Sequence, residues 1–286
     1  MTMTERFEDW LIRYSLLYKK RYTKNQKKRF LQSFVTDLLA VRDDIAIRKD
    51  KKDKDSHYIV VGDLKKAKHV LATYYDTPAI YTGDYHYFNT DKQRKQTLNL
   101  LILLSLIVLL LGAVFTFFVG IPLLDQPFSY RTVLLIGFYF VYFYFFGRLT
   151  RGWPAKENLI RNTSSLLYLL NFLAEHPEPA FAYVFFDNGC QGDMSIQKVK
   201  NKLNLKNQRL TLLDCVGAKG ELIRVAKSEG QGIIPTVISK ELDKNCEFLL
   251  VATQTGTFSD LAISKEALKE KELNQENYEK LNTFFK

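Results

Sequence analysis

Three aspartates close apolar runs in this chain. Asp76 ends HVLATYYD, Asp187 ends AFAYVFFD and Asp214 ends QRLTLLD. If those runs are strands of an α/β sheet, all three acids stand at carboxyl ends, where sites in such sheets form. Cys190, Asp214 and Asp76, with His86, would be the donors of any zinc site, since thiolate and carboxylate both bind zinc. Cys215 directly follows Asp214 on the same run, so its side chain is expected on the opposite face. Ser164 and Ser165 would need a nearby base to act as nucleophiles. None of the four histidines is placed for that: His57 and His69 open strand-like runs, His176 ends a helical one and His86 lies in the aromatic stretch DYHYF. The three cysteines, Cys190, Cys215 and Cys246, form no CxxC pair, and so sparse a count fits a reducing compartment.

The elements that must position these residues alternate in type. Residues 4–41 read as helical, with Phe7, Trp10, Leu11, Tyr14, Leu17 and Tyr18 in one apolar stripe and Phe30, Phe34, Leu38 and Leu39 in a second. Between the stripes stand Lys19, Lys20, Arg21, Lys24, Lys27, Lys28 and Arg29 without an acid. Such a cluster suits either anionic lipid headgroups or a solvated helix face. IAIR and HYIVVGD, joined by the charged turn KDKKDKD, read as a hairpin. HVLATYYDTP, AFAYVFFD, QRLTLLDCVG and CEFLLVAT read as four buried strands, and residues 157–176 as an amphipathic helix. SIQKVKNKL and ENYEKLNTFF add two more helices. Apolar strands alternating with helices predict an α/β domain with a mixed, largely parallel sheet flanked by helices.

Residues 97–149 interrupt that pattern with two nearly uncharged segments, Thr97 to Leu124 and Arg131 to Leu149, joined by DQPFSY. Each is long enough to cross a hydrocarbon core of ~30 Å, and the short, proline-containing link makes them antiparallel neighbours. Tyr hydroxyls at bilayer depth want a partner, so the aromatic second segment should pack on the first or on another protein. Lys92, Arg94 and Lys95 precede the first segment, and Arg148, Arg151 and Lys156 follow the second. By the positive-inside rule both flanks are cytoplasmic, giving a two-pass protein of the cell membrane with cytoplasmic termini. No apolar stretch follows the polar Met1–Trp10 segment as a cleavable signal would require. The expected organisation is N-terminal basic helices at 1–41, a first domain part at 42–96, the hairpin at 97–149 and a second domain part at 150–286. A net charge of +10 alone does not argue for nucleic acid, and no further feature does.

Five stretches in this order, VVGDLKKAKHVLATYYDTPA, RNTSSLLYLLNFL, AYVFFDNGCQGDMS, LTLLDCVG and TGTFSD before the last helix, resemble the di-zinc aminopeptidases of peptidase family M twenty-eight, in particular membrane-anchored bacterial members. The resemblance implies a zinc-exopeptidase-like fold, and it also implies which positions would hold metal. The family's His-x-Asp-Thr has Tyr74 in place of the histidine, with Asp76 and Thr77 matching. Its Asp-Asn-x-Ser-Gly, whose aspartate bridges two zinc ions, has Arg161 before the matching Asn162 and Ser164. Its Glu-Glu pair, general base and ligand, is replaced by Gly189 and Cys190. Asp214 matches a ligand position. The final His-Thr-x-x-Asp has Gly256 before Thr257 and Asp260.

These departures remove the chemistry. A phenol is a poor zinc ligand at neutral pH, glycine supplies no base, and a guanidinium ~4 Å from a cation would repel it by about 4 kcal/mol per unit of ionic charge. Metal-assisted hydrolysis needs ligands, an activated water and a base. The expectation is a pseudo-aminopeptidase without catalytic residues or cofactor, in which Arg161 points at Asp214 or Asp76 and neutralises it. Its role would be binding or assembly with the bilayer, a membrane protein or a peptide. The alternative is an active zinc-dependent hydrolase with unusual ligands, Cys190 and Asp214 among them.

Overall fold

The computed structural model describes residues 3–50, 56–150, 152–176, 179–191, 196–229, 232–253 and 256–286. Most of the charged turn expected at 49–55 lies outside them, as do Arg151, residues 192–195 and Thr255. In chain order, α1 (Met3–Ile12) continues through a π-helical turn (Arg13–Leu17), and α2 (Lys24–Leu39) follows. Then come β1 (Ile45–Lys49), β2 (His57–Val61), β3 (His69–Tyr74) and the short β4 (Tyr85–His86). The apolar segment holds α3 (Thr90–Phe115), a π-helical turn, α4 (Ile121–Leu124) and α5 (Tyr130–Thr150). A π-helical turn (Leu159–Thr163) leads into α6 (Ser164–Glu175), then β5 (Phe181–Phe186), α7 (Ile196–Leu203), β6 (Arg209–Asp214), β7 (Glu221–Ala226), β8 (Thr236–Ile238) and β9 (Cys246–Ala252). β10 (Ala262–Ile263), α8 (Lys265–Leu268) and α9 (Gln275–Phe285) complete the chain.

Two compact units result. The first comprises residues 1–78, 83–90 and 155–286, and the second residues 79–82 and 91–154. The first unit is built on an eight-stranded sheet in the order β1-β2-β5-β3-β6-β9-β7-β8. β5, β3, β6 and β9 run parallel, while β1, β2 and β7 pair antiparallel. Every residue of β5 is buried, as are all but the first of β3 and β6. That matches their continuous apolar sequences, because central parallel strands are covered on both faces. Edge strand β1 is mostly exposed and carries Arg48 and Lys49, charges that discourage further strand pairing.

Alternation along the strands sorts the core. Val70, Ala72, Tyr74, Ala182, Val184, Phe186, Leu210 and Leu212 share one face with Ile196, Val199 and Leu203 of α7. On the other face, Phe185 meets Phe34 of α2 edge to face at 4.8 Å, and Phe181 meets Phe172 of α6 at 5.4 Å. The helix expected to be amphipathic at 157–176 is not. Residues 160–170 are all buried, because α6 lies within the domain and carries apolar or internally bonded side chains on every side. The helical reading of 4–41 also needs a correction: the chain leaves helix after Leu17 and restarts at the Thr23 cap, where Thr23 and Gln26 form a capping box. β7 and β8 went unread, since Arg224 interrupts the apolar pattern of β7. It is held inside by Glu247, at 2.7 Å.

The second unit holds two helical stretches long and apolar enough to cross a membrane, Thr90–Leu124 and Tyr130–Thr150, whose most apolar 18-residue windows have mean hydropathies of 3.0 and 1.6. Only 6% and 17% of their most apolar windows are buried, unlike core helices. They pack through tyrosines set against glycines. The Tyr142 hydroxyl donates to the Val108 carbonyl at 2.9 Å, and Tyr139 and Thr116 share a hydroxyl contact of 2.7 Å. A Cβ on Gly112 would stand 2.3 Å from the Tyr142 hydroxyl, and one on Gly120 2.7 Å from that of Tyr139. Two of the segment's tyrosines thus find their hydroxyl partners on the first helix.

Candidate functional site

The three aspartates arrive together because β5, β3 and β6 are adjacent and parallel. Asp76 lies two residues beyond β3, Asp187 follows β5 and Asp214 ends β6; all three are at least 96% buried. Each carboxylate is satisfied by protein groups. Asp76 accepts the backbone N–H of Gly189 at 2.8 Å and that of Cys190 at 3.2 Å. Asp187 forms an ion pair with Lys27 at 2.6 Å. Asp214 accepts the Tyr74 hydroxyl at 2.7 Å, the Tyr85 hydroxyl at 3.1 Å and the Cys215 thiol at 3.3 Å.

Arg161, expected at Asp214 or Asp76, stands beside Asp214 and over an aromatic ring. Its guanidinium lies 3.8 Å from the centre of the Tyr85 ring, and Tyr85 in turn donates to Asp214. Its charge still reaches Asp214 and counters the effect of burial there. Tyr85 thus carries both a hydrogen bond to Asp214 and the cation over its ring. Cys215 departs from expectation. The strand stops at Asp214, Cys215 takes a left-handed φ of 54°, and its thiol turns back to its neighbour's carboxylate rather than to the opposite face.

A second buried arginine comes from the N-terminal cluster. Arg21 is 0% exposed and donates to Asn162 Oδ1 at 2.9 Å and Thr163 Oγ1 at 2.7 Å. Its guanidinium also lies 4.9 Å from the Phe30 ring centre. Its backbone is tied to Thr77 in both directions, at 2.8 and 3.0 Å. The cluster is therefore neither a plain solvated face nor wholly a lipid contact: Arg21 and Lys27 are turned inward. Three cations, Arg21, Lys27 and Arg161, face three carboxylates, Asp76, Asp187 and Asp214.

Burial governs the titration of these groups. It raises Asp76 to about 6, helped by the charge of Asp187 and opposed by Lys27 and the two backbone donors. It raises Asp214 to about 6, opposed by Arg161 and the hydroxyl donors. It lowers Arg21 to about 10, still protonated at neutral pH. It pushes the thiols of Cys190 and Cys215 and the phenols of Tyr74 and Tyr85 well up, so all four stay neutral donors.

The remaining positions follow from packing. A Cβ on Gly189 would stand 2.2 Å from Tyr74 Cβ, so this turn approaches β3 more closely than any side chain allows. Cys190 donates its thiol to the Asp76 carbonyl at 3.0 Å. Gly256 is exposed, and its neighbours Thr257 and Asp260 form a capping box with each other. His86 is buried in β4, opposite Ala262 of β10. Among the described residues no three His, Cys, Asp or Glu side chains converge as a metal would require. Among the described residues a zinc pair does not fit the donor set: thiols and phenols bonded to protein acceptors and carboxylates that accept protein donors, beside a guanidinium.

No protein-family model matches the chain, and no curated protein matches it. Among solved structures the chain is similar to glutaminyl cyclase of Porphyromonas gingivalis, at 12% identity and a TM-score of 0.44, over 91% of this chain and 87% of that one.

Tyr74, Asp76, Arg161, Gly189, Cys190 and Asp214 are thus brought together in one region, whereas Gly256 is exposed and lies against Asp260. Tyr85, Arg21 and Lys27 were not read as site residues. The signal for Arg21 and Lys27 was their place in a basic run interleaved with Phe30 and Phe34, whose stripe must face the core. The tyrosine pattern of DYHYF held the signal for Tyr85.

Proposed function

We propose that this protein is a membrane-anchored pseudo-aminopeptidase that acts by binding rather than by hydrolysis. One observation carries the reading. Around Asp76 and Asp214, positions the resemblance gives to the metal site, Lys27 pairs with the neighbouring Asp187, Arg161 counters burial at Asp214, Arg21 feels the charge of Asp76, and both oxygens of Asp214 accept tyrosine hydroxyls. Asp76 and Asp214 accept protein donors, Asp187 is paired with Lys27, and Gly189 cannot carry the missing base without displacing Tyr74. Against Cys190 and Asp214 as unusual zinc ligands stands the geometry: the Cys190 thiol is bonded to the Asp76 carbonyl, and both oxygens of Asp214 accept tyrosine hydroxyls.

The anchor is the helical pair, with both termini on the cytoplasmic side, as the flanking basic residues argue. A retained fold with a filled interior suits a role in holding a peptide or a membrane partner. The test is hydrolysis of aminoacyl p-nitroanilides and amino-acid amides by the detergent-purified full chain, with and without added zinc. No turnover above buffer is expected in either condition. Turnover that a chelator abolishes would contradict the proposal.

A further inference from the structure

The N-terminal helix presents apolar side chains in the wrong direction for a soluble surface. Trp10 and Tyr14 face the core at 3% and 0% exposure, while Ile12, Leu16 and Leu17 are 55%, 67% and 75% exposed. Ile12 and Leu16 each follow a core residue by two positions, about 200° around the helix. Isolated exposed leucines are ordinary. Here three fall within six residues, and exposed Lys20 follows, with Lys24, Lys28 and Arg29 exposed on the first turns of α2. Apolar side chains beside lysines on one helix end are the pattern of a segment that lies in a membrane interface.

The position of this helix end within the first unit supports that occupant. The Lys19 carbonyl accepts from Asn158 at 3.2 Å, and Arg21 is bonded to Thr77. Pro78 in turn accepts the N–H of Ala155 at 2.9 Å. Residues 19–21 therefore adjoin Ala155, where the chain re-enters this unit after the apolar helices. Ala155 follows the end of α5, Thr150, by five residues, a reach of at most about 17 Å.

We propose that Ile12, Leu16, Leu17 and Lys20 form a docking surface for anionic phospholipid, which seats the soluble unit on the membrane that anchors it. The inference rests on the membrane-anchored part of the reading above and is independent of whether the protein hydrolyses peptides. Leu17→Cys, carrying an environment-sensitive fluorophore, is placed in the full chain and reconstituted into nanodiscs of phosphatidylcholine alone or with phosphatidylserine. The unsubstituted chain, labelled alike, gives the background from its own cysteines. Lipids bearing a nitroxide on the acyl chain should quench the label in phosphatidylserine discs and much less in phosphatidylcholine discs. Lys20→Gln should lower the ratio of docked to undocked chains about fivefold. A label that ignores the quencher in both discs, or is quenched alike in both, would overturn the proposal. A chain that fails to enter the discs at all would overturn the anchoring with it.

Discussion

Arg21 shows how a charge can be kept in a protein interior. Its guanidinium bonds Asn162 and Thr163, rests near Phe30 and feels the field of Asp76. Arg21→Met keeps most of the volume and removes the cation, and removing one member of a buried charge group costs about 3–5 kcal/mol. Thermal unfolding of the variant should register that loss. Adding Asp76→Asn to Arg21→Met should restore part of it, because the carboxylate no longer lacks its counter-charge. The pH dependence has a definite sign. Asp76 and Asp214 are both raised to about 6, above the value near 3.9 of an unfolded chain. The folded state then binds more protons than the unfolded state between those values, so stability falls as pH rises from about 4 to about 6. Unfolding midpoints across that range should show the fall, and Asp214→Asn should flatten it.

At the scale of elements, two close approaches set what can change. The turn at Gly189 abuts the end of β3, with room for no Cβ beside Tyr74. Gly189→Ala should cost about 1–3 kcal/mol by overpacking. The collision is with Tyr74 Cβ as well as with its ring, so Tyr74→His, which keeps the Cβ, should not relieve it; equal stability of Gly189→Ala and the unsubstituted chain would contradict this packing. In the helical pair, the glycine notches at 112 and 120 receive Tyr142 and Tyr139. Tyr142→Phe removes the bond to the Val108 carbonyl, a loss of about 1 kcal/mol in a membrane. Gly112→Val should separate the helices further, read as loss of a disulfide crosslink engineered between them.

For the whole molecule, sequence revealed what repeats a local rule and hid what depends on distant partners. β3, β5, β6 and β9 were legible because central parallel strands are continuous apolar runs, and the carboxyl-end placement of Asp76, Asp187 and Asp214 followed. The apolar helical pair was legible from length and composition alone. β7 was hidden by Arg224, whose partner Glu247 lies on another strand. The inward turn of Arg21 was hidden for the same reason, since Asn162 and Thr163 are 141 and 142 positions away in the chain. The seat of Arg161 over Tyr85 depends on a ring contributed by the short β4, which no local pattern announced. The positions legible only by resemblance, Gly189 and Cys190, turn out to be backbone donors to Asp76.

The proposed function stands on an interior whose carboxylates are already matched by protein cations and hydroxyls. Zinc titration of the purified full chain, followed by elemental analysis after dialysis, tests this most directly. The predicted result is zinc well below one ion per chain, with an unfolding temperature unchanged by zinc or by chelator. One or two tightly held ions per chain, lost together with stability when chelator is added, would contradict it.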